Sequence, residues 1–291
     1  MEFSERTGAA DENLPQLPGL SACTGQIVVI KYGGNAMLSE DLKEAVLRDV
    51  VLLKEYGLKP VLAHGGGPGI NAMLKKMDIP VKFIRGLRYT SAEILEVVEA
   101  VLIGQVNTEL VSLLQKYGGR AAGLSGVSGD IFHCRLQDEE LGLVGEIERV
   151  DASAIRALLD ADFIPVIAPL GTDLAGTVFN INGDTAAGKL ASALGAAKLL
   201  LLTDIEGLCN SVEKRDVISY LNIADVPMLK ERGTITGGMI PKVDCCVDAI
   251  REGVGSVHIL DGRQPHSILK AFQEEAFGTT IGTAHASVGI K

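Results

Sequence analysis

The chain has 291 residues, of which 47% are hydrophobic and only 4% aromatic, with no tryptophan. This length allows one or two domains with a sizeable core, and the scarcity of aromatic rings argues against a protein that stacks nucleic-acid bases. A formal net charge of −10 also argues against nucleic-acid binding, because a phosphate backbone is bound through many lysines and arginines.

The N-terminal stretch 1–25 is polar and contains Pro15, Pro18 and Gly19, so we expect a loose extension rather than one long helix. It lacks the basic and apolar regions of a secretory signal peptide, and no apolar stretch approaches the ~18 residues that a membrane helix needs. The five cysteines show neither a paired framework nor a zinc-site spacing, which indicates free thiols in a reducing compartment. We therefore expect a soluble, cytoplasmic protein.

From residue 27 onward, strand patterns and helix patterns alternate along the chain. The predicted strands are 27–30, 60–63, 121–124, 164–168, 198–202 and 256–260. The predicted helices are 41–56, 70–77, 91–114, 152–159, 185–194 and 241–252. Residues 131–150 instead alternate as an antiparallel hairpin. This order predicts an α/β fold with a mainly parallel central sheet and helices on both faces, with a lobe boundary near residue 188.

Two of the predicted strands run directly into glycine-rich turns. Residues 31–35 follow the first strand and include Gly33 and Gly34, and residues 64–69 follow the second and include three consecutive glycines. Glycine lets the backbone approach a ligand closely, and a helix start offers unpaired N–H groups to an anion. Two such turns on neighbouring strands can hold one phosphate from two sides, so phosphoryl transfer is the first hypothesis.

Lysines accompany two of the glycine-rich segments. Lys31 directly precedes the Gly33-Gly34 pair, where its ammonium group can reach a phosphate oxygen as a point charge. Lys242 falls in the first turn of the predicted helix 241–252, just after Gly237 and Gly238. A cation is disfavoured at a helix N-terminus, which favours a role for Lys242 toward a polyphosphate.

Residues 180–184 place two amides and a carboxylate together ahead of a predicted helix. Asn180 and Asn182 can hold a substrate carboxylate, and Asp184 can hold Lys31 and a second lysine in position. The alternative is an Asx-turn with an aspartate that caps the helix. Residues 183–190 also fit most of a P-loop pattern, but the hydroxyl residue that ligates Mg²⁺ is replaced by Leu190, so we read Gly188 and Lys189 as helix interior.

Two further side chains, Arg88 and His64, have simpler interpretations. Arg88, in the turn 85–90, has the guanidinium fork that suits bidentate binding of a carboxylate. His64 precedes the three glycines, and a ring that fixes the loop by hydrogen bonds is favoured over a general base.

Taken in order, these motifs resemble those of the acetylglutamate kinases, within the amino acid kinase family. The resemblance covers residues 26–282. The segments that carry it are 31–37, 64–68, 86–88, 180–184, 202–204, 237–242 and 261–266. It implies an open three-layer α/β/α sandwich with an acetylglutamate-binding and dimerisation lobe at 26–188 and an ATP-binding lobe at 189–291. The implied reaction is ATP-dependent phosphorylation of the side-chain carboxylate of N-acetyl-L-glutamate to N-acetyl-L-glutamyl 5-phosphate, in arginine biosynthesis.

The resemblance also implies roles for individual residues. Lys31 and Lys242 would stabilise the phosphoryl transition state, and Asp184 would organise the two lysines. N–H groups that bind the transferring phosphoryl group or the substrate would come from Gly34, Gly66 and Gly67. Arg88 and Asn180 would hold the substrate's α-carboxylate. The nucleotide would be lined by Asp204, Glu206, Gly207, Thr236 and Gly237, and Mg²⁺ would be held mainly by the phosphates of ATP.

The implied partners are N-acetyl-L-glutamate and ATP, with no nucleic acid and no membrane. A homodimer is expected. A hexamer is left open, because Pro18 and Gly19 interrupt the N-terminal region that interlaces hexameric members. Arginine feedback is left open as well, since Ala271 and Ala276 depart from the usual C-terminal pattern. A PII-type regulator cannot be read from the sequence.

Two other functions fit parts of the pattern. One is a kinase of the same fold that phosphorylates another acid, such as aminoadipate on a carrier protein, although a charge of −10 gives an acidic carrier little to bind. The other is a non-catalytic sensor of acetylglutamate or nucleotide, against which the retention of Lys31, Asp184 and Lys242 argues.

Overall fold

The computed structural model describes residues 18–37, 39–211, 216–273 and 277–283. The predicted N-terminal extension lies outside the described residues up to residue 17, and with it most of the region on which the hexamer question depends. From residue 18 the chain forms a short helix, α1 (Pro18–Ser21), and then a turn. Ala276 also lies outside the described residues.

Strands and helices alternate through most of the chain. The strands are β1 (Ile27–Tyr32), β2 (Lys59–His64), β3 (Phe83–Ile84), β4 (Leu87–Arg88), β5 (Ala121–Ser125), β6 (Phe132–Leu136), β7 (Gly145–Val150), β8 (Ile164–Ala168), β9 (Leu170–Thr172), β10 (Val178–Asn180), β11 (Lys198–Thr203), β12 (Cys209–Ser211), β13 (Asp216–Val217), β14 (Tyr220–Asn222), β15 (Ser256–Asp261) and β16 (Thr279–Gly282). The helices after α1 are α2 (Glu40–Glu55), α3 (Gly67–Lys76), α4 (Ala92–Glu99), α5 (Thr108–Lys116), α6 (Ser153–Asp160), α7 (Gly183–Leu194), α8 (Val226–Glu231), α9 (Met239–Arg251) and α10 (Ser267–Gln273). A π-helical segment, Ala100–Asn107, joins α4 to α5.

Eight strands form the central sheet in the order β14-β16-β15-β11-β1-β2-β8-β5. All neighbouring pairs are parallel except β15 and β16. The mainly parallel α/β fold predicted from the alternation is confirmed. Because β1, β2 and β11 are parallel neighbours, their carboxyl ends meet at one edge of the sheet, where open α/β sheets place their ligands.

Both faces of the central sheet are buried. Along β1, Val29 packs into one apolar cluster, while Val28 and Ile30 pack into another, as the alternation of side chains along a strand requires. The first cluster contains residues of α6, α7 and α9, and the second contains residues of α2, α3, α4, α5 and α10. The sheet therefore lies between two helical layers, which explains why its strands read as continuous apolar runs.

The predicted hairpin at 131–150 is confirmed and belongs to a second, four-stranded sheet. Its order is β10-β9-β6-β7, with β6 and β7 antiparallel. Serine side chains cap two of the helices that position the site. The Leu42 N–H donates to the Ser39 hydroxyl at 3.4 Å, and the Ile94 N–H donates to the Ser91 hydroxyl at 3.2 Å. The structure thus matches the sequence prediction at the main strands and helices that position the site.

The continuous helix 92–116 is long and apolar enough to cross a membrane by length and composition, which the sequence analysis did not anticipate. In this structure 44% of its apolar window is buried inside the fold. Its Asn107 side chain donates a hydrogen bond to the backbone carbonyl of Val166 at 2.9 Å. These contacts are those of a core helix packed on the sheet.

Asp49 on α2 is a buried carboxylate away from the sheet edge. Its side chain is 1% exposed, and its Oδ1 lies 2.7 Å from Nδ1 of His266, just before α10. Arg48, Glu55 and Tyr117 line the small cavity beside this pair. Burial outweighs the contact with His266 and raises the pKa of Asp49 from its usual 3.8 to about 6.

This raised pKa predicts a pH-dependent stability difference for Asp49→Asn. The folded protein holds the Asp49 proton more tightly than the unfolded chain, so the stabilisation is present below pH 3.8 and is lost as the pH rises through about 6. Asparagine cannot ionise, so the variant does not lose stability in this way as the pH rises. Between about pH 4 and about pH 7.5 the variant should therefore gain about 2.5 kcal/mol in free energy of unfolding relative to the wild type.

Urea unfolding of both proteins across this pH range measures the difference. The matched control is Asp160→Asn, because the Asp160 side chain is 74% exposed and its pair with Lys59 should contribute little. If the free energies of unfolding of the wild type and of Asp49→Asn differ by the same amount at every pH, the prediction is contradicted.

Candidate active site

A cavity of about 240 Å³ opens at the carboxyl ends of β1 and β2. It lies between the two glycine-rich turns, the β3–β4 hairpin and the segment that joins β10 to α7. The predicted site residues that line it are Lys31, Gly34, Gly66, Gly67, Arg88, Asn180, Asn182 and Asp184. Eight residues predicted from distant parts of the chain therefore meet around one cavity.

Asp184 lies between two lysines at this cavity. Lys31 Nζ is 2.9 Å from Asp184 Oδ1, and Lys242 Nζ donates to Asp184 Oδ2. The three side chains are only 14 to 18% exposed. Burial opposes ionisation of Asp184, but the two lysines together outweigh it and hold the pKa of this carboxyl well below its usual range. Two ammonium groups and one carboxylate leave a net positive charge beside the cavity, which suits an anionic ligand.

Asn182, rather than Asp184, caps helix α7. Asn182 Oδ1 accepts hydrogen bonds from the backbone N–H groups of Asp184 at 3.0 Å and of Thr185 at 3.1 Å. This cap frees the Asp184 carboxylate to face the lysines, so the alternative in which the aspartate is the cap is wrong. It also occupies the carbonyl oxygen of Asn182, and only the amide nitrogen of that side chain is left to serve a substrate. Gly188 and Lys189 lie inside α7, as predicted, which excludes a P-loop here.

The end of strand β1 and the loop before α9 bring the two lysines to Asp184. Strand β1 extends through Tyr32, two residues beyond its predicted end, so Lys31 is part of the strand rather than of the turn after it. Gly237 adopts a φ of +53° just before α9, which begins at Met239 and places Lys242 in its first turn. The ion pair with Asp184 offsets the electrostatic cost of a cation at this helix end.

The two glycine-rich turns lie side by side. In the β1–β2 register Lys31 pairs with Ala63 and Tyr32 with His64, and the Gly65 N–H donates to the Tyr32 carbonyl at 2.8 Å. Gly34 has a φ of +72°, which strongly favours glycine. A Cβ at Gly66 would come within 2.6 Å of Leu102 Cδ2. The predicted arrangement of neighbouring turns is confirmed, with Gly66 capping α3 and Gly67 starting it.

His64 fixes the second turn, as expected. Its Nδ1 is 2.8 Å from the Gly65 carbonyl, and its Nε2 is 3.0 Å from Nδ2 of Asn107. Burial lowers the pKa of His64 to about 4, so the ring is neutral near pH 7. Sequence reasoning missed Asn107, although an amide side chain in an apolar stretch of helix was a usable signal.

Arg88 reaches the cavity from the β3–β4 hairpin. Its guanidinium stacks 5.0 Å from the ring centre of Phe83, and Nη2 donates to Asn71 Oδ1 at 2.6 Å. Burial lowers the pKa of Arg88 below its usual value. Its Nη1 is buried and has no hydrogen-bond partner among the residues that the structure describes. A buried guanidinium donor without a partner points to an anionic ligand.

Asn180 belongs to the same part of the site. Its Nδ2 donates to the Thr90 hydroxyl at 3.1 Å, and that hydroxyl donates to the Arg88 carbonyl at 3.0 Å. Thr90 thus links the hairpin that carries Arg88 to strand β10. Neither Thr90 nor Asn71 was predicted as a site residue, because their role depends on contacts between distant segments.

The five residues predicted to line the nucleotide lie outside the 240 Å³ cavity. Asp204, Glu206 and Gly207 follow β11, while Thr236 and Gly237 precede α9. A Cβ placed on Gly34 would lie 3.0 Å from Asp204 Oδ1, so the loop after β11 borders the first glycine turn. Gly207 packs tightly against the start of β16, where a Cβ on this glycine would lie 2.7 Å from Thr279 Oγ1. This contact gives Gly207 a packing role.

The sequence of the chain matches the protein-family model described as "Amino acid kinase family" over residues 26–261. An acetylglutamate kinase from Heliobacterium modesticaldum is 47% identical, over 95% of this chain and 98% of that protein. One from Thermosynechococcus vestitus is 45% identical, over 93% of each.

Solved structures agree with this fold. Among them, smu.665 from Streptococcus mutans has a TM-score of 0.76 and 30% identity, over 89% of this chain and 99% of that one. A Giardia carbamate kinase, with a TM-score of 0.66 and 14% identity over 89% of this chain and 99% of that one, shows the fold alone.

Proposed function

The chain belongs to the amino acid kinase family, and we propose that it is an acetylglutamate kinase, which transfers the γ-phosphoryl group of ATP to the side-chain carboxylate of N-acetyl-L-glutamate. Relatives that carry this name match at least nine-tenths of both sequences, and we place the reaction in arginine biosynthesis. The observation that carries the mechanism is the Lys31–Asp184–Lys242 cluster, which borders a cavity that also presents the unpartnered Nη1 of Arg88.

The reaction needs no general base. A side-chain carboxylate is already ionised near pH 7 and can attack the γ-phosphorus directly. His64 is neutral, buried and held by two hydrogen-bonding contacts, which agrees with a supporting role. Catalysis then consists of aligning the two substrates and stabilising the charge that spreads over the transferring group.

Charged side chains and backbone N–H groups would together stabilise the transferring phosphoryl group. Lys31 and Lys242 would contact the transferring phosphoryl group from two sides, with Asp184 holding both ammonium groups in place. Backbone N–H groups at Gly34, Gly66 and Gly67 would donate to the same group or to the attacking carboxylate. The helix start at Gly67 adds a partial positive charge there. The strongest stabilisation would thus be realised in the transition state, which is where it accelerates the reaction.

The acid substrate would be held at the other end of the cavity. Arg88 would bind its α-carboxylate through Nη1, and Asn180 would contact the same group. Asn182 would contribute its amide nitrogen at most, since its carbonyl oxygen caps α7. The apolar residues Leu102, Val144 and Pro169 line the same cavity and would pack against the acyl part of the substrate.

The nucleotide would lie on the C-terminal side of the two lysines. Asp204, Glu206, Gly207, Thr236 and Gly237 would border it. The described residues contain no group of three His, Cys, Asp or Glu side chains that could hold a metal ion, and the Asp184 carboxylate already contacts two lysines. We assign Mg²⁺ to the nucleotide phosphates, with which it enters as part of the substrate.

The proposed lobes meet at the ion-pair cluster. Lys31 and Asp184 belong to the acid-binding lobe, 26–188, and Lys242 belongs to the ATP-binding lobe, 189–291. The N-terminal lobe also carries the helix 92–116, whose Ile103 is 44% exposed on an apolar stretch. We propose a homodimer. We assign the protein to the cytoplasm.

Comparison of three acids in a coupled ADP-release assay tests the function. N-acetyl-L-glutamate is expected to be turned over, whereas glutamate and aminoadipate should react far more slowly, because the cavity binds an acylated acid. Protein carrying Lys242→Ala, prepared identically, controls for a contaminating kinase. Turnover of another acid without acetylglutamate would overturn the substrate assignment, and binding without ADP release would favour the sensor.

A further inference from the structure

Asn71 holds the guanidinium group of Arg88 at the cavity. Its Oδ1 accepts from Arg88 Nη2 at 2.6 Å, while the Phe83 ring stacks 5.0 Å from the guanidinium carbon. These two contacts set the plane and the rotation of the fork. With Nη2 occupied, Nη1 is a buried donor that has no hydrogen-bond partner among the described residues.

Asn71 lies on α3, one turn beyond the glycine-rich turn. Helix α3 begins at Gly67, and Gly66 caps it. The same rigid helix therefore presents N–H groups at the phosphoryl end of the cavity and an amide oxygen at the Arg88 end. This places the two ends of an acid substrate in a fixed relation, although Arg88 itself lies on a short two-stranded hairpin.

The group that accepts a hydrogen bond from Arg88 is a neutral amide, whereas another arginine of the chain is bound by a carboxylate. Arg263 is held by the Asp261 carboxylate through two hydrogen bonds of 2.8 and 2.9 Å, which offset its charge. An amide oxygen orients a guanidinium group without supplying a counter-charge. Arg88 thus keeps its positive charge for an incoming anion.

We propose that Asn71 is a positioning residue for the acid substrate, which orients Arg88 so that its free donor binds the substrate's carboxylate. This inference rests on the proposed function, since it takes the ligand of Arg88 to be that carboxylate. The contact lies far from the transferring phosphoryl group, so it should act on ground state and transition state alike. Such uniform binding alters KM and leaves kcat nearly unchanged.

The test compares four proteins by steady-state kinetics with acetylglutamate and ATP. Asn71→Ala is expected to raise KM for acetylglutamate about tenfold, as a lost charge-assisted hydrogen bond does, with kcat and KM for ATP within about twofold. Asn71→Gln keeps a neutral amide oxygen on a side chain one methylene longer and should restore part of the affinity. Lys76→Ala, an exposed position in the last turn of α3, is the matched control and should behave as wild type.

A double-mutant cycle with Arg88→Ala shows whether Asn71 acts through Arg88. In that background Asn71→Ala should cause no further rise in KM. Unchanged KM in the single variant, equal losses in Asn71→Ala and Asn71→Gln, or additive losses in the cycle would each overturn the inference. Thermal midpoints identify any variant that fails to fold, for which Asn71→Gln supplies the comparison. A wild-type protein inactive on acetylglutamate would instead refute the proposed function, before any variant is compared.

Discussion

Replacement of Lys242 by alanine is expected to lower kcat at least about a hundredfold, because loss of one preorganised charge contact costs about 3 to 4 kcal/mol in the barrier. Lys242 Nζ contacts Asp184, which also contacts Lys31, so all three groups are aligned at the cavity. Removal of Lys242 takes away one of the two cations that face the transferring group. Most of the effect should appear in kcat, since the contact strengthens in the transition state.

The fold should survive this change. Lys31 still pairs with Asp184 in the variant, so no buried charge is left alone. Lys189→Ala is the matched control, because Lys189 forms a solvent-exposed pair with Glu252 next to the same helices, and such pairs contribute little. Single-turnover kinetics and thermal unfolding of both variants measure the two effects. A near-normal kcat for Lys242→Ala would remove Lys242 from the proposed catalytic cluster.

Replacement of Asp184 by asparagine is expected to damage both activity and stability. The variant leaves Lys31 and Lys242 close together without a counter-charge, and breaking a buried ion pair from one side costs about 3 kcal/mol or more. The lysines should repel each other and leave the positions from which they contact the phosphoryl group. We expect kcat to fall at least about a hundredfold as a result.

The stability loss in Asp184→Asn should depend on pH in a defined direction. The pKa of Asp184 is depressed in the folded protein, so its contribution is fully present above the unfolded value of 3.8 and is lost as the pH falls toward the folded pKa. The wild-type advantage should therefore be constant near neutral pH and shrink in acid, opposite to the trend expected at Asp49.

Urea unfolding of the Asp184→Asn variant at neutral and acidic pH checks this trend. Asp244→Asn is the control, since Asp244 pairs with Lys230 on the surface, where its side chain is 45% exposed. Wild-type stability in Asp184→Asn at neutral pH would show that the two lysines do not depend on this carboxylate.

Sequence patterns located most of the fold because its elements are encoded locally. The strand 164–168 was predicted with its observed bounds, since all five of its residues are buried and apolar. Ser39 and Ser91 cap the starts of α2 and α4, because a capping hydroxyl accepts a hydrogen bond from the N–H three residues ahead. Short-range hydrogen bonds and side-chain periodicity are enough to decide such features.

Predictions that depended on side-chain orientation were less complete. Both Asn182 and Asp184 are suitable helix caps by composition, and only the packed structure shows that Asn182 takes the cap while Asp184 faces the lysines. The same holds for Lys31, whose strand extends two residues further than its apolar pattern, because pairing with β2 continues through Tyr32.

By itself, the sequence determined the α/β class, the order of the elements and the residue types around the phosphoryl site, since these follow from periodicity, glycine placement and motif order. The tertiary structure alone decided which groups meet. It brought Lys242 to Asp184 across 58 residues and Asn71 to Arg88 across 17. It also buried Asn107 against His64, which lies 43 residues away in the chain. These pairings depend on sheet register and helix packing between distant segments, and no local pattern encodes the direction in which those side chains finally point.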